Sequence, residues 1–161
     1  MTRSDILARL DAAGIAYELE EHPAVFTIDE MRELGICERG EVAKNLFLRD
    51  AKGRRHILAV VRSDKRADLA AIAEQLGTTR LSFASEQRLM KHLGLTKGAV
   101  TPLGVLHDSE GLVEVAIDRD LCGCERLGVH PGENTATLWL RCDDLLRLIR
   151  ENGNPVSEIV L

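Results

Sequence analysis

The sequence is poor in aromatic side chains, with three Phe, one Tyr and one Trp in 161 residues. Single-stranded nucleic acid is usually gripped by stacking platforms, so this scarcity argues against a dedicated RNA-binding module. Net positive charge is also missing. The chain carries −5, whereas a protein that holds nucleic acid through many phosphate contacts is normally basic. Local basic stretches remain, around Lys52, Arg54, Arg55, Arg62, Lys65 and Arg66, and around Arg88, Lys91, His92 and Lys97. Such a cluster is more often just a solvated face. No apolar run approaches a membrane span, and the N-terminus has no signal-peptide pattern. A cytoplasmic protein with reduced thiols and no membrane partner is therefore expected. The four cysteines are irregularly spaced, and Cys122-Gly-Cys124 has no second Cys or His pair at zinc-site spacing. No disulfide framework, metal or cofactor is expected. The phosphate-binding glycine loops and the Gly-x-Ser-x-Gly nucleophile motif are absent, and no Cys/His pair is compelling as a nucleophile.

What is present fits one domain over 1–161, with interspersed helices and strands and no internal repeat or linker. Ser4 is expected to cap a first helix that Gly14 closes. Residues 15–20 alternate as a strand, and Thr27 with Glu30 forms a capping box for a helix over 28–34. Ala51-Lys-Gly53 reads as a hairpin turn before a returning strand at 56–61. A helix is expected over 64–77, an extended piece at 80–84, and a helix over 86–92 capped by Ser85. Strands are expected at 112–118 and in 129–140, then a helix capped by Asp143 and a terminal strand from Val156. Hairpins mixed with helices predict an α/β fold, a single mixed-sheet domain with packed helices, rather than repeated βαβ units.

Three places carry candidate chemistry. In Glu41-Val-Ala-Lys-Asn-Leu-Phe-Leu-Arg-Asp50 both sides of a strand are largely apolar, yet Lys44 and Asn45 interrupt it. A lysine there is costly unless its ammonium reaches water, a partner or a ligand. A snorkelling Lys beside a hydrogen-bonded Asn satisfies this, and so does a polar pair opening into a pocket. In His22-Pro-Ala-Val-Phe-Thr27, the helix start beside Thr27 and His22 is either an anion-receiving end or plain capping. In Gly98-Ala-Val-Thr-Pro-Leu-Gly104, glycine permits close backbone approach and Pro102 fixes φ. This is either a tight connection or a loop that aims carbonyls at a ligand.

Taken together and in order, these stretches resemble the YbaK/ProX-like aminoacyl-tRNA deacylases, relatives of the editing domain of bacterial prolyl-tRNA synthetases. The resemblance rests on HPAVFT with Glu30, AKNLFLRD, RLSFASEQRLMKHLG, GAVTPLG and HPGENTATL (His130 to Leu138), and covers nearly the whole chain. It is strongest toward the free-standing Ala-tRNA(Pro) deacylases. It implies a trans-editing hydrolase that cleaves the aminoacyl ester at the tRNA 3′ end without a metal, with prolyl-tRNA synthetase as a possible partner. Lys44 would hold the terminal nucleotide and favour charge developing at the ester. Asn45 would position the same end, and the backbone at Gly98 and Pro102 would receive the amino group or ribose hydroxyl. His130 would shape the pocket or orient water. His22 and Thr27 would lie on the substrate side, and Leu46, Ala59 and Val60 would form a small amino-acid pocket. Cys-tRNA or Ser-tRNA as substrate, and a non-catalytic tRNA-binding or regulatory module, are the competing expectations.

Overall fold

Short polar side chains and glycines set most element boundaries in the computed structural model, which describes residues 1–161. Helix α1 (Arg3–Ala12) starts two residues before the position that a Ser4 cap would give. Thr2 is the cap, its hydroxyl accepting from Asp5 N at 3.3 Å while the Asp5 carboxylate accepts from Thr2 N at 2.8 Å. Strand β1 (Tyr17–Glu21) follows, then α2 (Ile28–Glu33), capped by Thr27 as the sequence predicts. Strands β2 (Glu41–Arg49) and β3 (His56–Arg62) form the expected hairpin. Its turn is held by Asp50, whose carboxylate accepts from Arg54 N and Arg55 N, and by Gly53 at φ +68°. Helix α3 (Leu69–Leu76) is shorter than expected, because Asp68 caps it and leaves 63–67 as a turn. Strand β4 (Ser82–Phe83) and helix α4 (Glu86–Leu93) come next. The Gly98 loop runs into an unforeseen 3-10 turn over Pro102–His107. Strands β5 (Val113–Asp118), β6 (Leu127–Val129) and β7 (Ala136–Leu140) precede α5 (Cys142–Glu151) and β8 (Val156–Ile159). Asp143 does not cap α5. Arg141 holds that position, and Asp143 sits in the first turn, where a carboxylate suits the helix dipole.

The strands form one mixed sheet in the order β1-β7-β6-β2-β3-β5-β8. The main core lies between one face of the sheet and α1, α4, α5 and the 102–107 turn. On the other face α3 covers β3, β5 and β8, while α2 and the following turn cover Val42 and Trp139. The central strand β3 is therefore sealed on both sides, and Ile57 to Val61 are fully buried.

One irregularity positions the site. Strand β3 occupies one edge of β2 without a break from Ala43 to Arg49. The opposite edge is shared. Strand β6 pairs only with Glu41 and Val42, and β4 only with Leu48 and Arg49. No strand pairs with Ala43 to Phe47 on that edge, so the sheet has a gap at the middle of β2. Phe47 O accepts from Ala84 N, whereas Val42 O accepts from Ser63 N beside β3. Backbone groups of odd-numbered residues thus face the gap, and Asn45 lies at its centre.

Beneath the gap is a small aromatic stack. Phe47 packs on His56 and His92 with ring centroids 5.7 and 6.1 Å away, and the two imidazoles are 4.1 Å apart. The Arg88 guanidinium donates to His56 Nε2 at 3.0 Å, which requires a neutral, accepting ring. Burial pushes the His56 pKa down to about 4, with His92 and Arg88 adding to the shift. A depressed histidine pKa stabilises the fold above the unfolded value of 6.5, and that stability is lost as pH falls toward the folded value. His56→Gln keeps an acceptor for Arg88 but does not titrate. Between pH 7 and pH 4.5, denaturant unfolding should show wild type losing about 2 kcal/mol more than this variant. Equal losses would remove His56 from the acid response.

Candidate active site

The gap in β2 opens into a cleft of about 700 Å³. Its walls are the Val25–Met31 segment, the middle of β2, the β4–α4 junction, the Lys97–Val100 loop and His130. Side chains alternate along β2, with Ala43 and Phe47 in the main core and Val42 and Leu48 on the opposite face. Asn45 therefore projects toward the main-core side, and Lys44 and Leu46 toward the other. All three line one cleft because the cleft lies at the open edge of the strand.

Lys44 occupies the interval on its face between the cover given by α2 and that given by α3. Its ammonium donates to the backbone carbonyl of Lys65, in the turn after β3. That turn is fixed by Asp118, whose carboxylate is fully buried. Asp118 accepts from Arg62 N at 3.1 Å, Asp120 N at 3.0 Å and Lys65 Nζ at 2.9 Å, while Asp120 binds Lys65 Nζ at 2.7 Å. The two carboxylates raise the Lys65 pKa, Asp120 foremost. A neutral carbonyl holds Lys44 without cancelling its charge, so a cation stands at the cleft with donors to spare.

Asn45 donates weakly to Val100 O at 3.4 Å, and its Oδ1 is buried with no partner. A buried acceptor left unpaired is costly, and a ligand donor would satisfy it. His130 Nδ1 lies 3.2 Å from Ala136 O. A carbonyl can only accept, so Nδ1 carries the proton and Nε2 is left with its lone pair. Burial lowers the His130 pKa, opposed by the Ala136 carbonyl and aided by His22, which keeps the ring neutral near pH 7. Gly98 has φ +95°, and a Cβ there would meet the Phe26 ring at 3.3 Å. That position needs glycine for both its backbone and its neighbour.

Lys44, Asn45, Leu46, Thr27, Gly98 and His130 thus meet in the cleft. Thr27 is engaged by its own helix, accepting from Glu30 N at 3.1 Å, which supports the capping role. His22 lies just outside. Its ring contacts Pro23 O at 2.9 Å and Thr137 Oγ1 at 2.8 Å, tying the loop before α2 to β7. Three expectations need correction. Ala59 and Val60 are fully buried in β3 behind β2, one under α3 and the other in the main core, so neither forms the pocket. Pro102 is buried at the start of its 3-10 turn and does not reach the cleft. Ala43 and Val100 are among the apolar residues that line the cleft instead, and Phe26 and Phe83 stand at it with exposures of 70% and 63%. Alternation with Asn45 was the available signal for Ala43; the two exposed rings gave none. No three His, Cys, Asp or Glu side chains are grouped to share a metal ion, and no helix is long and apolar enough to cross a membrane. Burial raises the Cys122 and Cys142 thiols to about 11 and about 12, far from thiolate chemistry.

The model of the aminoacyl-tRNA editing domain matches residues 22–148, a span that contains every cleft segment named above. The chain belongs to the aminoacyl-tRNA editing domain family. Within it, the chain is 47% identical over 156 residues to the prolyl-tRNA editing protein ProX of Acetoanaerobium sticklandii, covering 97% of this chain and 95% of that one. It is 40% identical to the prolyl-tRNA synthetase associated domain-containing protein 1 of Danio rerio, over 81% of this chain and 72% of that one. The multifunctional Ser/Thr-tRNA deacylase ProXp-y of Escherichia coli K12 is 30% identical over 63% of this chain and 62% of its own. The editing-domain fold is also shared with a crystal structure described as a candidate trans-editing enzyme for prolyl tRNA synthetase. That match has TM-score 0.75 and 23% identity, over 98% of this chain and 95% of that one.

Proposed function

We propose that the cleft hydrolyses the ester joining alanine to the 3′ end of mischarged tRNA(Pro), in the cytoplasm and in trans to prolyl-tRNA synthetase. The observation that carries this reading is the set of three complementary groups at one sheet gap. Lys44 supplies a cation, Asn45 an unsatisfied acceptor, and His130 a neutral ring with a free nitrogen. Likeness to a prolyl-tRNA editing protein over almost the full length supports the choice of tRNA.

In this reading water adds to the alanyl carbonyl carbon, charge develops on the carbonyl oxygen, and the carbon–oxygen bond to the ribose breaks. The ribose oxygen leaves with a proton, and free alanine and intact tRNA result. Lys44 stabilises the developing charge and the nearby phosphate, in a cleft dry enough for a fixed cation to count. The Asn45 Oδ1 accepts from the α-ammonium, a donor that every aminoacyl ester carries. His130 Nε2 accepts a hydrogen from the attacking water and orients it. The Gly98 backbone, with the Phe26 ring packed against it, faces the ribose. Ala43, Val100 and Leu46 bound the amino-acid side chain. Such a small sieve suits the error being corrected, since a synthetase pocket that accepts proline cannot strongly reject a smaller side chain.

The amino-acid preference is tested by hydrolysis of Ala-, Ser-, Cys- and Pro-tRNA(Pro) side by side. Alanine should be released at least about 10- to 200-fold faster than proline, the discrimination expected for a single methylene in an apolar pocket. Serine release above alanine would reassign the substrate toward the E. coli Ser/Thr-tRNA deacylase. Equal release of proline would contradict the sieve.

A further inference from the structure

Of the few aromatic residues, Trp139 and Phe47 are buried and Tyr17 is half-buried, as packing favours. Phe26 and Phe83 are not. Both are largely exposed, both line the same cleft, and they come from different walls, the loop before α2 and strand β4. The other strongly exposed apolar side chains, such as Leu112 and Val160, lie away from it. A pair of exposed rings at one cleft provides flat apolar surface for a planar ligand.

We propose that Phe26 and Phe83 are the base-stacking platform for the unpaired 3′ end of the RNA, Phe26 under the terminal base and Phe83 under the base before it. The proposal rests on the editing function above and specifies how that substrate is held. The order follows from position. The Phe26 ring lies against Gly98, beside the group formed by Lys44, Asn45 and His130, where the esterified terminal nucleoside must sit. Phe83 pairs with Leu48 and adjoins Ser82, which pairs with Arg49, farther along β2 toward the hairpin. Charge supports the same occupant. Lys44 and Lys97 both line the cleft with the two rings and form no ion pair, although the chain is acidic overall. Free cations in one cleft with two exposed rings match a phosphate chain with splayed bases, which is how single strands are bound without base-edge readout. An apolar partner protein would leave those charges unmatched.

The test pairs side-chain removal with base removal. The ligand is an uncharged RNA hairpin with an unpaired CCA end, intact or abasic at the last or the penultimate nucleotide. Wild type should bind the intact RNA about 5- to 150-fold more tightly than either abasic form, the range of one stacked base. Phe26→Ala should lose a similar factor on intact RNA and almost nothing further when the terminal base is absent. Phe83→Ala should behave the same way toward the penultimate base. Phe26→Trp and Phe83→Trp should retain affinity, and the Leu variants, equally apolar but not planar, should not. Losses in the Ala variants that are the same on intact and abasic RNA would overturn the assignment, as would Leu variants that bind like wild type. The readout is binding alone. If coupling appears but no ester is cleaved, the catalytic reading fails and the platform stands; if esters are cleaved without coupling, the platform fails alone.

Discussion

Lys44→Ala is expected to lower kcat/KM for alanine release from Ala-tRNA(Pro) by about 10²- to 10³-fold, the usual cost of removing one preorganised donor from a developing oxyanion. The fold should survive. Lys44 is partly accessible, and its one hydrogen bond to the protein is to the backbone carbonyl of Lys65. Circular dichroism and melting temperature should match wild type within a few degrees. Lys44→Arg should recover only part of the activity, because a planar fork cannot place its charge where a compact ammonium sits against the Lys65 carbonyl. Full activity in Lys44→Ala would return this residue to the role of a lysine that merely reaches water.

Asp118→Ala is expected to cost about 3–5 kcal/mol of stability. The substitution removes a fully buried carboxylate that accepts from two backbone N–H groups and from the Lys65 ammonium. Lys65 is only 14% exposed, so its charge would be left with Asp120 alone. For a chain of this length the loss corresponds to a fall in Tm of roughly 6–20 °C. Asp118→Asn should fall less, since an amide oxygen can still accept from Arg62 N. Both variants should also lose activity when assayed well below their own Tm, because the carbonyl that holds Lys44 belongs to the turn Asp118 fixes. Unchanged melting in Asp118→Ala would show that the turn is held by other contacts.

The Lys44-Asn45 pair stands out in the sequence because a charge and an amide inside an apolar strand demand a partner, but it is the family resemblance that favours a cleft over a snorkelling lysine. The strand itself, its hairpin and the caps at Thr27, Asp68 and Ser85 follow from local chemistry, and the structure has them. Asp68 was not singled out beforehand, because Asp64 offered a competing start. The gap that makes the pair useful was not legible. It arises because β6 and β4, about forty residues apart on the chain, stop short of each other on one edge of β2. Ala59 and Val60 were misassigned for a related reason. A strand covered on both faces has no polar side to orient it, so apolar content cannot say which residue reaches a cavity. Composition is silent on placement in one further respect. Few aromatics speak against a dedicated RNA-binding module, but the count does not say that two of the three phenylalanines are exposed at the cleft.

The most direct test of the account is the decay of Ala-tRNA(Pro) with the purified protein in excess, followed in a single turnover beside buffer alone and beside Pro-tRNA(Pro). One exponential loss of the alanyl ester is expected, far faster than in buffer, with the prolyl ester left near its spontaneous rate. Decay of Ala-tRNA(Pro) at the buffer rate while the protein still binds the tRNA would contradict it, and would make the cleft a binding site without chemistry.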